Sequence, residues 1–134
     1  MLSHDHCIIK EKTNIFSPGN LRAASDNAQY RELINTWMLK GYTLRYTGGM
    51  VPDVSQMFIK GHGIFTCIGS KNHKPKLRVL YEVACVGFLV EKAGGKTIAT
   101  GKIPITEYEI KSYDDKLAFA AGSSSEIETL TAYF

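Results

Sequence analysis

The chain has 134 residues, a length that suits one domain over residues 1–134, and its 44% hydrophobic and 22% charged residues exclude intrinsic disorder and low-complexity classes. No apolar run approaches the ~20 residues of a membrane span, and the first residues are not typical of a secretory signal, so we expect no membrane partner. Because the net charge of +3 comes without a concentrated basic stripe, we expect no nucleic-acid partner either.

Strand and helix patterns alternate along the chain. Short runs of β-branched and aromatic residues predict strands, and apolar residues spaced three and four apart predict amphipathic helices. In chain order, the predicted elements are strands over 7–9 and 14–16, a helix over 27–40, a strand over 43–47, a helix over 52–60, a strand over 63–68, a basic loop over 71–76, a helix over 77–93, a strand over 97–99, an irregular segment over 101–115, a strand over 117–121 and a final helix. This alternation predicts an α/β domain with helices on the faces of a sheet.

Local signals mark the predicted helix ends. Either Asp26 or Asn27 can cap the helix over 27–40, and Gly41 can end it. Candidate capping boxes for the final helix pair Ser123 with Glu126 or Ser125 with Glu128.

The three cysteines, Cys7, Cys67 and Cys85, are odd in number and far apart in sequence. They form neither a disulfide framework nor a pair with metal-ligand spacing. We therefore expect free thiols in a soluble protein of a reducing compartment.

Glu82 is the most informative polar residue, because every other residue from 80 to 90 is apolar, aromatic or glycine. This pattern predicts a carboxylate inside a buried helix, which is costly unless the carboxylate is paired or coordinates a metal. An ion pair with Arg78, one helical turn earlier, is one interpretation, and a metal ligand is the other. The two are compatible, since a ligating carboxylate often has a cationic neighbour.

A second candidate site is the predicted strand-to-helix junction over residues 45–52. Arg45 and Tyr46 precede two glycines and a helix start, and free N–H groups at a helix start can hold an anion. The alternative is an ordinary strand–turn–helix with a surface arginine.

A basic loop precedes the helix that carries Glu82. A solvated charged loop is the usual case, although cations beside a lone acid also suit a phosphate with a divalent metal. The cations are Lys71, Lys74, Lys76 and Arg78. Weaker candidates are His4, His6, His62 and His73, which lack metal-ligand spacing with the cysteines, and Asp114–Asp115, which is more typical of a turn.

Several motifs occur in a consistent order, namely IFSPGNLRA over 15–23, YTLRYTGGMVPDV over 42–54, KLRVLYE over 76–82 and EKAGG over 91–95. From about residue 15 to its end, the chain resembles the sugar bisphosphatase family of sedoheptulose-1,7-bisphosphatase and class I fructose-1,6-bisphosphatase. The first two motifs favour the sedoheptulose branch. The resemblance implies a layered α-β-α domain with a mixed sheet flanked by helices, like the C-terminal half of that fold. It also implies Mg²⁺-dependent hydrolysis of the 1-phosphate of a ketose bisphosphate.

The resemblance implies roles for individual residues. Glu82 matches a catalytic, metal-binding glutamate, and Arg78 matches an arginine close to the metal centre. Arg45 matches an arginine that reaches the substrate of a neighbouring subunit, which implies a homo-oligomer. Cys67 stands where the fructose enzyme has a phosphate-contacting tyrosine. The implied substrate-binding residues are Asn20, Arg45, Tyr46, Gly48, Gly49, Met50 and Lys76.

The chain departs from the family pattern upstream of these motifs. The family needs a further acidic region with a D-P-L-D-G-S-type motif, which is absent from the 134 residues. Phosphoryl transfer with two or more metal ions needs several carboxylates. We therefore expect the C-terminal part of an enzyme, inactive without its N-terminal half, in the cytoplasm or a plastid. Alternatives are fructose-1,6-bisphosphatase activity, a phosphosugar-binding module without catalysis, or a purely structural piece.

Overall fold

The computed structural model describes residues 7–112 and 116–134, so His4, His6 and Asp114–Asp115 lie outside the described residues. Five strands form one mixed sheet in the order β2-β1-β3-β5-β4. They are β1 (Ile15–Gly19), β2 (Thr43–Leu44), β3 (Ile64–Cys67), β4 (Lys96–Ala99) and β5 (Phe119–Gly122). Strands β2, β1 and β3 are parallel, with Gly19 opposite Cys67, and β5 runs antiparallel to both of its neighbours.

Four α-helices connect or follow the strands. They are α1 (Ala28–Leu39), α2 (Met50–Lys60), α3 (Ala84–Lys92) and α4 (Ser124–Leu130). Short 3-10 turns cover Leu21–Ser25, Ile105–Glu107 and Thr131–Tyr133, and a π-helical turn over Val79–Val83 leads into α3. No helix among the described residues is long and apolar enough to cross a membrane.

Two hydrophobic cores, one on each face of the sheet, define the layers. Burial of these apolar side chains is the main favourable term in folding. Helices α1 and α4 contribute Tyr30, Leu33, Ile34, Trp37, Ile127 and Leu130 to a core with Phe16, Ile64, Ile98 and Ala120. On the other face, α2 and α3 with its π turn contribute Met50, Val54, Met57, Val83 and Val90 to a core with Phe65, Phe119 and Ala121. The predicted α/β class and the layered α-β-α arrangement are confirmed.

Helix α1 begins and ends as its sequence signals predict. The Asn27 side chain accepts a hydrogen bond from the Tyr30 backbone N–H at 3.1 Å, which caps the helix start. Gly41 follows the helix end with φ of +76°, a conformation that favours glycine.

The predicted capping boxes of α4 are wrong, because tertiary contacts take their side chains. The Ser123 hydroxyl accepts from the Gly63 backbone N–H at 3.2 Å, and the Ser125 hydroxyl donates to the Glu11 carbonyl at 2.7 Å. The Glu126 carboxylate accepts hydrogen bonds from Trp37 Nε1 and from the Tyr42 hydroxyl.

Two strand predictions need correction. Residues 7–9 form no strand, and their backbone instead bonds to loops: the Ile9 N–H donates to the Ala93 carbonyl at 2.8 Å. The strand predicted over 43–47 stops after Leu44, and at Thr47 the backbone N–H is already directed to the Asp53 carboxylate.

Candidate functional site

A cavity of about 360 Å³ opens at the edge of the sheet where the parallel strands β2, β1 and β3 end. Ligands of open α/β sheets characteristically bind at this carboxyl edge. All of the predicted site residues except Arg45 and Arg78 line the cavity, namely Asn20, Tyr46, Gly48, Gly49, Met50, Lys76 and Glu82. Residues that are far apart in sequence are therefore brought together at one place.

Glu82 lies in the π-helical turn that precedes α3, and its side chain is 34% exposed. The prediction that this carboxylate lies inside a buried helix is therefore wrong. Leu80, Tyr81 and Phe88 of the same helical segment are exposed to solvent as well. The expected ion pair is present: Arg78 Nε lies 3.3 Å from Glu82 Oε1. The second oxygen, Oε2, makes no hydrogen bond to a described residue and stays available as an oxygen ligand.

Arg78 lies outside the cavity lining. Its guanidinium is half-exposed and stacks over the Tyr81 ring at 5.1 Å from the centroid. The Arg78 backbone N–H also donates to Glu82 Oε1 at 3.3 Å. In this structure Arg78 orients the Glu82 carboxylate.

Asn20 follows β1 in the left-handed conformation, with φ of +52°. Its Nδ2 donates to the Ile68 carbonyl and to the His73 carbonyl, both at 3.0 Å. Since an amide nitrogen carries only two protons, both are occupied by the protein itself. Asn20 thus positions the loop that carries Lys76, and its side-chain amide has no N–H group left for a ligand.

Two further side chains tether the same loop to the segment after β1. Asn27 Nδ2 donates to the Gly69 carbonyl at 2.9 Å, and Asp26 Oδ2 accepts from the Asn72 N–H at 3.0 Å. A hydrogen bond from the Ser70 side chain, followed by that from Asn72, holds the pKa of Asp26 below its ordinary value. The basic loop is therefore held in place rather than left as a solvated run of charges.

A second cavity, of about 580 Å³, shares Asn20, Arg22 and Lys76 with the first. Among the described residues that line it there are cations and no carboxylate. The cationic side chains are Arg22, Lys71, Lys74, Lys76 and Lys116. The wall common to the two cavities is where an anionic group would be most favoured.

The junction between β2 and α2 supplies the opposite wall. Gly49 caps α2, Met50 is buried at its first position, and Tyr46 is 49% exposed at the rim. Asp53 occupies the first turn and accepts a hydrogen bond from the Thr47 N–H at 2.9 Å. Because this carboxylate already complements the positive end of the helix dipole, the start of α2 is poorly suited to a phosphate.

Arg45 lies just beyond the edge strand β2, where its backbone N–H donates to the Phe16 carbonyl at 3.0 Å. Its side chain is exposed and does not line the cavity. The predicted role in a neighbouring subunit stays a prediction.

Sequence reasoning missed two charged residues that line the cavity, Arg22 and Asp53. Arg22 lies within the motif IFSPGNLRA over 15–23. Its position two residues after Asn20 was the sequence signal that could have identified it as a cavity residue. Asp53 lies in the first turn of the helix that follows the paired glycines. An acid at this position usually stabilises the helix through its dipole, so its place in the sequence provided no reason to assign it to a ligand site.

Comparison with known proteins shows similarity to parts of sugar bisphosphatases. The family described as "Fructose-1-6-bisphosphatase, C-terminal domain" matches residues 9–134. A chloroplastic sedoheptulose-1,7-bisphosphatase of Spinacia oleracea is 52% identical over 124 residues, which is 89% of this chain and 32% of that protein. A class 1 fructose-1,6-bisphosphatase of Geobacter sulfurreducens is 37% identical over 131 residues, covering 96% of this chain and 41% of that protein.

Two solved structures share the fold. A Toxoplasma gondii protein provisionally described as a sedoheptulose-1,7 bisphosphatase superposes with a TM-score of 0.91 and 45% identity, covering 96% of this chain and 41% of that one. The holo form of Leishmania major fructose-1,6-bisphosphatase gives a TM-score of 0.88 and 30% identity over 99% of this chain and 42% of that one. The chain thus spans between about a third and two fifths of the proteins it matches.

Proposed function

We propose, from the premise that the chain belongs to the fructose-1-6-bisphosphatase C-terminal domain family, that it is the sugar-phosphate-binding part of a sedoheptulose-1,7-bisphosphatase-like phosphatase. The reaction is hydrolysis of the 1-phosphate of a ketose bisphosphate. The observation that carries this proposal is that Tyr46 lines one cavity with Lys76 and Glu82, which lie at least 30 residues later in the chain.

The cationic wall supports a site for a substrate phosphate. Arg22 and Lys76 border both cavities, and guanidinium and ammonium groups bind phosphate oxygens through charge-assisted hydrogen bonds. Since Asn20 holds the loop through two backbone carbonyls, this wall is organised before a ligand arrives. A pre-ordered site loses less entropy on binding.

Glu82 fits one position of a magnesium site, because it offers a hard carboxylate oxygen at the cavity and Mg²⁺ prefers such ligands. When bound, the metal would stabilise the charge that develops on the phosphoryl group. Among the described residues, however, no three His, Cys, Asp or Glu side chains are grouped so that they could hold a metal ion. We propose that the other carboxylate ligands come from an N-terminal half of the enzyme, outside these 134 residues.

Identity of 52% to a chloroplastic sedoheptulose enzyme against 37% to a class 1 fructose enzyme supports sedoheptulose 1,7-bisphosphate as the substrate, in a plastid. We also propose the homo-oligomer that the family resemblance implies, in which the exposed Arg45 side chain reaches a neighbouring subunit.

Phosphate release tests the proposal. The 134-residue chain, given sedoheptulose 1,7-bisphosphate and Mg²⁺, is expected to release no phosphate. A chimera that places the N-terminal half of the Spinacia oleracea relative before this chain is expected to be active, and Glu82→Gln in the chimera to be nearly inactive. Activity of the chain alone would contradict the need for a second half, and a folded but inactive chimera would contradict the phosphatase assignment.

A phosphosugar-binding module without catalysis is the second candidate, favoured by the cationic wall that stands complete without a metal cluster. It predicts that the 134-residue chain binds fructose 1,6-bisphosphate in isothermal titration while the chimera stays inactive. Loss of binding in Lys76→Ala would locate the ligand at the shared wall.

A further inference from the structure

One carboxylate oxygen in the cavity wall lacks a partner. Asp53 is only 1% exposed, and its Oδ1 accepts the hydrogen bond from the Thr47 N–H at 2.9 Å. Its Oδ2 is buried and makes no hydrogen bond within the described part of the chain. No ion pair among the described residues involves this side chain either, since the pairs there are Arg78 with Glu82 and Lys96 with Glu128.

A buried carboxylate oxygen without a donor is unusual in folded proteins. Its hydration is lost on folding and nothing replaces it, so such a group generally marks a place where a water molecule or a ligand supplies the missing donor. The hydrogen bond from the Thr47 N–H gives Oδ1 a structural role, because this bond fixes the turn before α2. It does not explain why the second oxygen is buried without a partner among the described residues.

The position of Asp53 indicates what the missing donor is. Asp53 lines the same cavity as Glu82 and Lys76. A phosphate would be repelled by its negative charge, whereas a neutral hydroxyl group can donate a hydrogen bond to it. Hydroxyl groups are what a sugar chain carries between its two phosphates.

We propose that Asp53 Oδ2 accepts a hydrogen bond from a hydroxyl of the bound sugar, which makes Asp53 a residue that recognises the polyol chain rather than its phosphates. The proposal rests on the proposed function of the cavity. It separates the cavity into an anion-binding wall at Arg22 and Lys76 and a hydroxyl-binding wall at Asp53.

Access to Oδ2 requires a small displacement of the cavity wall. Met50 lies one helical turn before Asp53 on α2 and also lines the cavity. The unbranched thioether of methionine changes rotamer at little cost, so it suits a wall that opens to admit a ligand. The two neighbouring glycines, Gly48 and Gly49, present no side chains that would block the approach.

Asp53→Asn provides the sharpest variant. The amide oxygen can still accept from Thr47, and the shape is nearly unchanged, but a donor replaces the acceptor at the position of Oδ2. The probes are fructose 1,6-bisphosphate and hexane-1,6-diol bisphosphate, which carries two phosphates on six carbons and no hydroxyl. Isothermal titration of the 134-residue chain measures both.

The variant is expected to bind fructose 1,6-bisphosphate about tenfold more weakly and the hexanediol compound within about twofold of wild type, since a charge-assisted hydrogen bond is lost only for the sugar. Thr47→Ala is the matched control. It removes the hydroxyl that exchanges hydrogen bonds with Gly49, so it loosens the turn without altering Oδ2, and it should weaken both probes by a similar factor.

The outcomes separate the proposals. If wild type binds neither these bisphosphates nor sedoheptulose 1,7-bisphosphate, the proposed function fails and the role of Asp53 fails with it. If it binds only the sedoheptulose compound, the same comparison is made with that compound and heptane-1,7-diol bisphosphate. If wild type binds both bisphosphates and Asp53→Asn lowers the affinity for both equally, or lowers neither affinity, only the assignment of the hydroxyl contact is overturned.

A measurement on wild type covers the case in which the variant does not fold. The ¹³C resonance of the Asp53 carboxyl group should shift when fructose 1,6-bisphosphate is added and not when hexane-1,6-diol bisphosphate is added. The same shift with both compounds would overturn the assignment.

Discussion

At the scale of single residues, the Glu126 carboxylate shows how a buried acid is tolerated away from the cavity. It is 7% exposed and accepts from Trp37 Nε1 at 3.1 Å and from the Tyr42 hydroxyl at 2.5 Å. Burial, together with the donated hydrogen bond and the charge of Glu126, raises the pKa of Tyr42 to about 12. Among the described residues, Glu126 has two donors whereas Asp53 Oδ2 has none, and this contrast between two buried acids supports a ligand role for Asp53 and not for Glu126.

Replacing Tyr42 tests this network. Tyr42→Phe should lower the free energy of unfolding near neutral pH by about 1–2 kcal/mol, because Glu126 loses a donor. The folded-state pKa of Tyr42 is raised above its ordinary value of 10.0, so the contribution is complete below about pH 10 and is lost as the pH rises through about 12. Urea denaturation at neutral and alkaline pH should show the difference between the two proteins shrinking.

Tyr46→Phe is the control for that experiment, since the Tyr46 ring is half-exposed and its loss of a hydroxyl should change stability by less than about 0.5 kcal/mol. A deficit in Tyr42→Phe that persisted unchanged at alkaline pH would contradict the hydrogen bond to Glu126.

Cys67 lines the cavity but should be chemically inert. Burial, and more weakly the charge of Glu82, raise its pKa to about 11, while the Lys76 backbone N–H lowers it. Its thiolate fraction near neutral pH is then about a hundredfold below that of an ordinary cysteine, and only the thiolate is alkylated. Iodoacetamide should label the exposed Cys7 and Cys85 first, as peptide mass spectrometry can show. Labelling of native Cys67 at the rate of Cys85 would contradict this expectation.

At the scale of elements, the strands were predictable where β-branched residues form a buried run, as over 63–68, because two covered faces need apolar side chains at every position. The helix over 77–93 was predicted with nearly the right bounds, since helical backbone runs from Val79 to Lys92, but its first turn is π-helical and its predicted burial was wrong. Its apolar residues Leu80, Phe88 and Leu89 suggest burial on all sides, yet 37–54% of their surface is exposed in the described chain. Hydrophobicity alone does not reveal which faces of a helix other elements cover.

Helix α3 packs closely against the 3-10 turn at Ile105 through Gly87. A Cβ atom at Gly87 would lie 2.5 Å from Ile105 Cγ2. Gly87→Ala should therefore lower the unfolding free energy by about 1–3 kcal/mol, although alanine is the better helix former. Thermal unfolding checks this, with Cys85→Ala, on the exposed side of the same helix, as a nearly neutral control.

The clash can be assigned by a double-mutant cycle. In the Ile105→Ala background, Gly87→Ala should be less destabilising than in wild type, because the overlapping methyl group is gone. Equal effects in both backgrounds would mean that another neighbour of Gly87 carries the strain.

At the scale of the whole molecule, resemblance to the family motifs predicted the cavity-lining residues better than hydrophobic periodicity and charge patterns did. The motifs identified Tyr46, Lys76 and Glu82, which do share one cavity. Asp53 and Arg22 lie within these motifs but were not assigned, because the significance of Asp53 depends on an unpaired oxygen and that of Arg22 on a wall shared by two cavities. Both of these arise only when β1, β2 and β3 meet at one edge.

The described chain should respond to a phosphosugar and not to a metal. Millimolar Mg²⁺ alone is expected to leave Tm unchanged, because Glu82 is a lone ligand that is paired with Arg78. Fructose 1,6-bisphosphate with a chelator present should raise Tm, since binding to the folded state alone stabilises it. Lys76→Ala should abolish the rise. A stabilisation by Mg²⁺ that Glu82→Gln removes would instead indicate a complete metal site within the chain.

The reversed direction of β5 brings the start of that strand to the cavity edge. Since β5 runs against β3, its first residue rather than its last lies at the cavity edge, and Lys116 arrives there just before the strand begins. The side chain at position 116 can therefore change without altering a strand register. A change of charge there would alter the electrostatic potential of the second cavity while the strand pairing stays the same.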